Sequence, residues 1–140
     1  SPGLFGVELF LTASGALWVN EVAPRAHNSG HHTIEACVTS QFENQLRACL
    51  NLPLGDTALR GAAVMMNLVG EPGYQGQPVI EGLAELLSEP DCHLHLYGKS
   101  TCRPGRKMGH ITWVGPDRET VLERALAQRD RIRIRGADAI

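Results

Sequence analysis

Two glutamates, Glu8 and Glu21, are the first side chains in this chain whose type and spacing could do chemistry. Each lies in an alternating segment. Phe5, Val7, Leu9 and Leu11 put apolar residues at every second position, and alternation resumes from Leu17 to Val22 after the turn signal Ala13-Ser14-Gly15-Ala16. Two such strands joined by a two- or four-residue turn pair in a register that sets Glu8 opposite Glu21. Carboxylates directly across a ladder repel at a cost of up to about 1 kcal/mol when exposed, and more when buried. A hard divalent cation would compensate them. Mg²⁺ takes one or two carboxylates together with substrate phosphate oxygens, a role open to Glu8, Glu21 and the adjacent Asn20. The competing reading is an edge hairpin with one solvated face, which shows the same alternation.

The segment after the second strand, Pro24 to His32, has no helix or strand period, yet it carries an arginine, three histidines and an asparagine. Loops on a rigid scaffold are where binding groups concentrate, and a cationic loop beside a carboxylate pair could hold an anion next to a metal. A zinc site of His27, His31 and His32 is the alternative. Cysteines at finger spacing are absent, and adjacent histidines rarely aim at one ion. A second cluster, Lys99, Arg103, Arg106 and Lys107, surrounds the turn Pro104-Gly105. Arginine forks and lysine point charges together suit a phosphomonoester, although a solvated basic edge is the commoner fate of such a run.

These residues resemble a known family. The run VELF, then LWVNEVAPRAHNSGHHTIEACVTSQFENQLRA, is similar to the C-terminal part of the ATP-grasp domain of N5-carboxyaminoimidazole ribonucleotide synthases, the ATPase subunits of phosphoribosylaminoimidazole carboxylase. HLYGKSTCRPGRKMGHI resembles the small C-terminal domain of the same enzymes. The likeness spans nearly the whole chain, and the APRxHNSGH and RPGRKxGH elements separate it from generic ATP-grasp proteins, which share only the spaced Glu and Asn-Glu.

The resemblance implies an α+β chain: the C-terminal portion of an ATP-grasp domain over residues 1–57 and a small α+β domain over 58–140. It implies an ATP-dependent ligation in purine synthesis. ATP phosphorylates bicarbonate to carboxyphosphate, and the exocyclic amine of 5-aminoimidazole ribonucleotide takes up the carboxyl group. On this expectation Glu8 and Glu21 hold Mg²⁺, Asn20 and Glu21 bind ATP, and Arg25 and His27 act catalytically on bicarbonate or its phosphorylated form. Asn28, Ser29 and His31 shape the substrate pocket, and Lys99, Arg103, Arg106 and Lys107 bind the ribonucleotide phosphate. A cytoplasmic homodimer is expected. The family's nucleotide-gripping lysines and glycine-rich lid lie upstream of the first strand, so the chain reads as a fragment that is inactive alone. Another ATP-grasp ligase would keep Glu8, Asn20 and Glu21 without needing the basic turn, and a non-catalytic anion-binding module is a third reading.

The chain's 140 residues, 43% apolar and with a formal net charge of −2, suit one domain or two small lobes and give no basic field for nucleic acid. No run of 18 or more apolar residues is present to span a membrane. Cys37, Cys49, Cys92 and Cys102 are irregularly spaced and read as reduced thiols, Cys49 on a buried helical stripe with Phe42, Leu46 and Leu50. Helical character runs from Thr33 to Leu52, with Ser40 and Glu43 as a capping box that could start a second helix after a shorter one at Thr33 to Val38. Beyond a linker at Leu54 to Thr57, the spacing predicts a buried strand over Ala62 to Val69 and a loop over Glu71 to Pro78. A helix over Val79 to Leu87 and a strand through His93, His95 and Tyr97 come next, the histidines in ordinary hydrogen bonding. Met108 to Val114 reads as a strand, and Pro116-Asp117 opens a helix burying Val121, Leu122, Ala125 and Leu126. Arg131 to Arg135 reads as either a last strand or an extended end.

Overall fold

The expected hairpin forms from β1, Gly6–Leu11, and β2, Leu17–Ala23, in a computed structural model that describes residues 2–140. Its turn differs from the two- or four-residue connection. Thr12 N donates to Ala16 O at 2.9 Å, so three residues connect the strands, and Gly15 takes φ 83°. Leu11 therefore pairs with Leu17 and Leu9 with Val19, a register one residue away from the one expected. A β-bulge between Glu8 and Leu9 then leaves Asn20 as the extra residue, and Glu8 pairs with Glu21 after all.

After the 3₁₀ turn Asn28–Gly30, the chain forms α1, Thr33–Ala36, and α2, Gln41–Cys49. The shorter of the two helical readings is the one observed. Ser40 caps α2, its Oγ accepting from Glu43 N at 3.1 Å. The chain divides into two compact units between Arg60 and Gly61, three residues beyond the linker boundary read at Thr57. Residues 58–60 stay with the first unit because Val38 N donates to Ala58 O, Arg60 N donates to Ala36 O, and Leu59 bridges Cys37.

The first unit buries little. Ala23, Ala36, Cys37 and Thr39 are covered, but Phe10, Leu11, Leu17, Trp18 and Val19 are each at least 60% exposed. A two-stranded hairpin has no second layer of its own to cover its faces. The expected α2 stripe is open for the same reason: Leu46 and Leu50 are exposed, and so is Cys49, which is not the buried thiol predicted.

The second unit holds the hydrophobic core. Its main sheet has the order β3-β6-β5, with β3 at Ala62–Val69, β5 at Cys92–Leu96 and β6 at Lys107–Gly115 in the centre, all antiparallel. A central strand is covered on both faces, which is why Ile111, Thr112 and Trp113 are all fully buried. Helix α4, Arg118–Arg129, packs on β3 and β6, capped by Asp117, whose carboxylate accepts from Thr120 N at 2.9 Å. Its buried face is Val121, Ala125 and Gln128, whereas Leu122 and Leu126, predicted to be buried, are exposed. Gln128 replaces them inside because its amide donates to Glu89 Oε1 at 2.8 Å, which satisfies a polar group in a covered position.

A second sheet pairs β4, Tyr74–Glu81, with β7, Arg133–Ala139, so the C-terminal segment is a strand. The predicted loop over Glu71 to Pro78 and the helix from Val79 are both corrected. Gly82, at φ 75°, stops the strand and starts the short helix α3, Leu83–Ser88, and a Cβ there would collide with Arg131 O. Val79, read as the first residue of a helical face, and its neighbour Ile80 are β-branched residues in a ladder with Arg135 and Ile134.

Burial, Glu89 and, in opposition, Arg124 set the Cys92 thiol, which is pushed up to about 11, and burial also raises Cys102. In thiol titration with a disulfide reagent at about pH 8, Cys49 is expected to react quickly, with Cys92 and Cys102 reacting only on unfolding. A thiol whose folded pKa lies above its unfolded value stabilises the fold below the unfolded value and loses that contribution as pH rises through the folded one. The denaturation midpoint is thus expected to fall between about pH 9 and 11, and to fall less in Cys92→Ala.

Candidate functional site

The bulge at Asn20 decides what the hairpin presents. It brings Glu8 and Glu21 opposite each other, and Asn20 Nδ2 donates to Glu8 Oε2 at 3.1 Å. The loop after β2 then returns His27 to this pair. His27 Nε2 lies 3.0 Å from Glu21 Oε1 and 3.4 Å from Glu8 Oε1, with the imidazole only 13% exposed. Ser29 N donates to His27 Nδ1 at 3.4 Å and Ser29 Oγ lies 2.8 Å away, an arrangement that assigns the ring proton to Nε2, facing the carboxylates. Ligand atoms of Glu8, Glu21 and His27 all lie within 4.8 Å of one another, the one such cluster found among the described residues.

Two residues that sequence reasoning passed over hold His27 in place. Gly6 opposes it, and a Cβ there would sit 2.6 Å from His27 Cβ, so only glycine lets the ring approach β1. Gln41, the first residue of α2, clamps the loop backbone. Its Oε1 accepts from His27 N at 3.1 Å, its Nε2 donates to His27 O at 2.8 Å, and Nε2 also lies 2.9 Å from His31 Nδ1. A glutamine one position after a capping serine gives no sequence signal for such a role.

The three histidines do not converge. His31 turns to Gln41 and packs tilted against Phe42, with ring centroids 5.3 Å apart, while His32 Nδ1 lies 2.9 Å from Ser29 O. That removes the zinc alternative. Arg25 is exposed, its Nη1 donating to Ala26 O at 3.0 Å, so it lies on its own loop and not in the carboxylate cluster. Asn28, Ser29 and Gly30 form the 3₁₀ turn beside His27, with His31 N donating to Asn28 O at 3.1 Å.

In the second unit the basic turn is fastened through its backbone. Gly70 N donates to Arg106 O and Gly105 N to Gly70 O, while Cys102 and Gly76 exchange both backbone bonds. Arg106 Nη1 donates to Thr101 O at 2.8 Å, and Lys99 Nζ donates to Lys107 O at 2.5 Å. Arg103 and Lys107 are exposed, Lys99 and Arg106 partly covered. A cleft of about 380 Å³, lined by Met66, Glu71, Arg129 and Arg133 among others, contains none of the expected site residues.

A bulged hairpin with paired carboxylates is thus followed by a small α+β unit with a fastened cationic turn. Residues 1–42 match the ATP-grasp domain, and residues 63–124 match the phosphoribosylaminoimidazole carboxylase C-terminal domain. The chain belongs to the N5-carboxyaminoimidazole ribonucleotide synthase family. It is similar to the synthase of Synechococcus elongatus, at 51% identity over 79% of this chain and 28% of that protein. The Thermotoga maritima synthetase structure superposes with a TM-score of 0.92 at 55% identity, covering 96% of this chain and 38% of that one. The Aspergillus clavatus synthase, in complex with ADP and 5-aminoimidazole ribonucleotide, gives a TM-score of 0.80 at 37% identity, covering 91% and 34%. The chain thus spans roughly a third of the length of these relatives.

Replacing Gln41 by leucine strands the His27 N–H and C=O in a partly buried loop. The expected loss is about 1–3 kcal/mol in denaturant unfolding, with the His27 ring resonances shifting in proton–nitrogen spectra. Unchanged stability and unchanged ring resonances would remove Gln41 from the site.

Proposed function

We propose that this chain is the carboxyl-terminal part of an enzyme that carboxylates 5-aminoimidazole ribonucleotide at the expense of ATP and bicarbonate. The observation that carries the reading is the bulge-registered pair Glu8 and Glu21, with His27 held between them. Two facing carboxylates form a hard oxygen donor set that suits Mg²⁺, the ion that would neutralise charge on the nucleotide phosphates. Glu8 and Glu21 would hold it, and Asn20, bonded to Glu8 Oε2, helps fix that carboxylate while its Oε1 lies beside His27. Mg²⁺, bicarbonate, the homodimer and a cytoplasmic location rest on the family resemblance. No helix among the described residues is long and apolar enough to cross a membrane.

The chain's own residues would divide the work by charge. His27, oriented by Ser29 and Gln41, holds a proton on Nε2 toward the carboxylates and is placed to bind an oxyanion beside them. Arg25, at the loop surface, can extend to bicarbonate or carboxyphosphate once its backbone bond to Ala26 is exchanged. Asn28, Ser29 and His31 shape the wall around them. Lys99, Arg103, Arg106 and Lys107 would take the ribonucleotide phosphate, the arginines by bidentate bonds and the lysines as point charges. That the Aspergillus clavatus relative binds ADP and 5-aminoimidazole ribonucleotide supports both ligands. The exposed apolar hairpin supports the reading too, since the relatives carry a further two thirds of chain that could cover it.

The test is ATP hydrolysis by the complete enzyme, in which this chain is preceded by ATP-grasp residues such as its relatives carry. Ribonucleotide is expected to stimulate hydrolysis in the presence of bicarbonate. Glu21→Gln is expected to lose on the order of 10²-fold in kcat. Arg106→Ala is expected to raise the KM for ribonucleotide by about 10- to 100-fold. Hydrolysis indifferent to ribonucleotide would indicate a different ATP-grasp ligase, and no hydrolysis would leave an anion-binding module.

A further inference from the structure

We infer that Tyr97, fixed by His110, is a positioning residue that presents Lys99 to the phosphate of the substrate; the inference rests on the proposed function of the basic turn. In the main sheet His95 pairs directly with His110, and their rings stack at 4.5 Å and 15°. Tyr97 N donates to Met108 O at 2.9 Å, which carries the ladder one pair further and puts Tyr97 on the same side as both histidines. Its hydroxyl then meets His110 Nδ1 at 2.9 Å, and the two rings are 5.8 Å apart at 48°. His110 is 2% exposed and sits on the central strand, so the phenol is tied to the most rigid part of the unit.

Gly98, at φ 66°, turns the chain between Tyr97 and Lys99. The lysine consequently folds back until Nζ lies 5.5 Å from the centroid of the Tyr97 ring, while the same ammonium donates to Lys107 O. A lysine stem has many rotamers, and a ligand must immobilise whichever are not already fixed. The ring face and the carbonyl restrain the ammonium before any ligand arrives, and an ammonium has donors left for a phosphate. Tyr97 therefore acts through Lys99 on ribonucleotide affinity, with the chemical step left to other groups.

Steady-state kinetics of the complete enzyme test this, with KM for 5-aminoimidazole ribonucleotide read separately from kcat. Tyr97→Phe keeps the ring and loses the tie to His110, and is expected to raise KM about threefold. Tyr97→Leu loses both, and is expected to raise it about tenfold with kcat within about twofold of wild type. Lys99→Ala is expected to raise KM at least about tenfold, and the double variant Tyr97→Leu/Lys99→Ala no further than Lys99→Ala alone. That non-additivity is what a merely structural tyrosine would not give. Additive effects, an unchanged KM in Tyr97→Leu, or a loss confined to kcat would overturn the inference. An unchanged KM in Lys99→Ala would overturn it as well, yet leave the phosphate site standing if Arg106→Ala still weakens ribonucleotide; if neither variant weakens it, the phosphate site itself falls.

Discussion

One inserted residue determines the chemistry of the first unit. The three-residue turn fixes a register in which Glu8 would face Asn20 and Glu21 would face Val7, on opposite faces of the hairpin. The bulge at Asn20 shifts the ladder by one position, and a shift of one carries every later side chain to the other face. Only then do the two carboxylates meet. Their repulsion is a cost the local fold accepts, partly answered by the Asn20 amide and the His27 N–H. On the proposed function, a pair left partly unneutralised in this way would favour a bound cation.

Both charged clusters follow the same rule of support. His27 is fastened by Gln41 at its own N–H and C=O, and the basic turn by backbone bonds from Gly70 and Gly76. Uncharged groups set most of the backbone, and Arg106 and Lys99 add single bonds to Thr101 O and Lys107 O. Loops held in this way lose little further freedom when a ligand arrives, which favours tight binding of small anions.

Apolar surface is distributed unequally between the units. In the second, the central strand β6 is covered on both faces, and Leu86, Ile111, Trp113 and Val121 close a core around it. In the first, the hairpin turns apolar residues outward on both faces, and α2 exposes its leucines. The relatives that this chain matches are about three times as long as it is.

Much was legible in the sequence because it depends on neighbours along the chain. Alternation located β1, β2 and β5, a short apolar run located β3, the Ser40 and Asp117 caps marked α2 and α4, and the charged loops stood out by composition. The family motifs lie on those same loops. Where the reading failed, distant contacts had decided. Val79 matches a helix in spacing with Leu83 but pairs with Arg135 of β7, more than fifty residues away in sequence. Gln128 displaces Leu122 and Leu126 from the core because Glu89 lies across from it. The pairing of Glu8 with Glu21 was anticipated from a turn that does not form, and is restored by a bulge that alternation cannot signal. The sequence alone thus determined which residues could carry charge and where the chain turns, since both are local properties. Only the tertiary structure decided that Gly6 and Gln41 lock His27 onto the carboxylates and that His110 stands behind Tyr97. Those facts arise from close approach between segments whose separation along the chain carries no periodic trace.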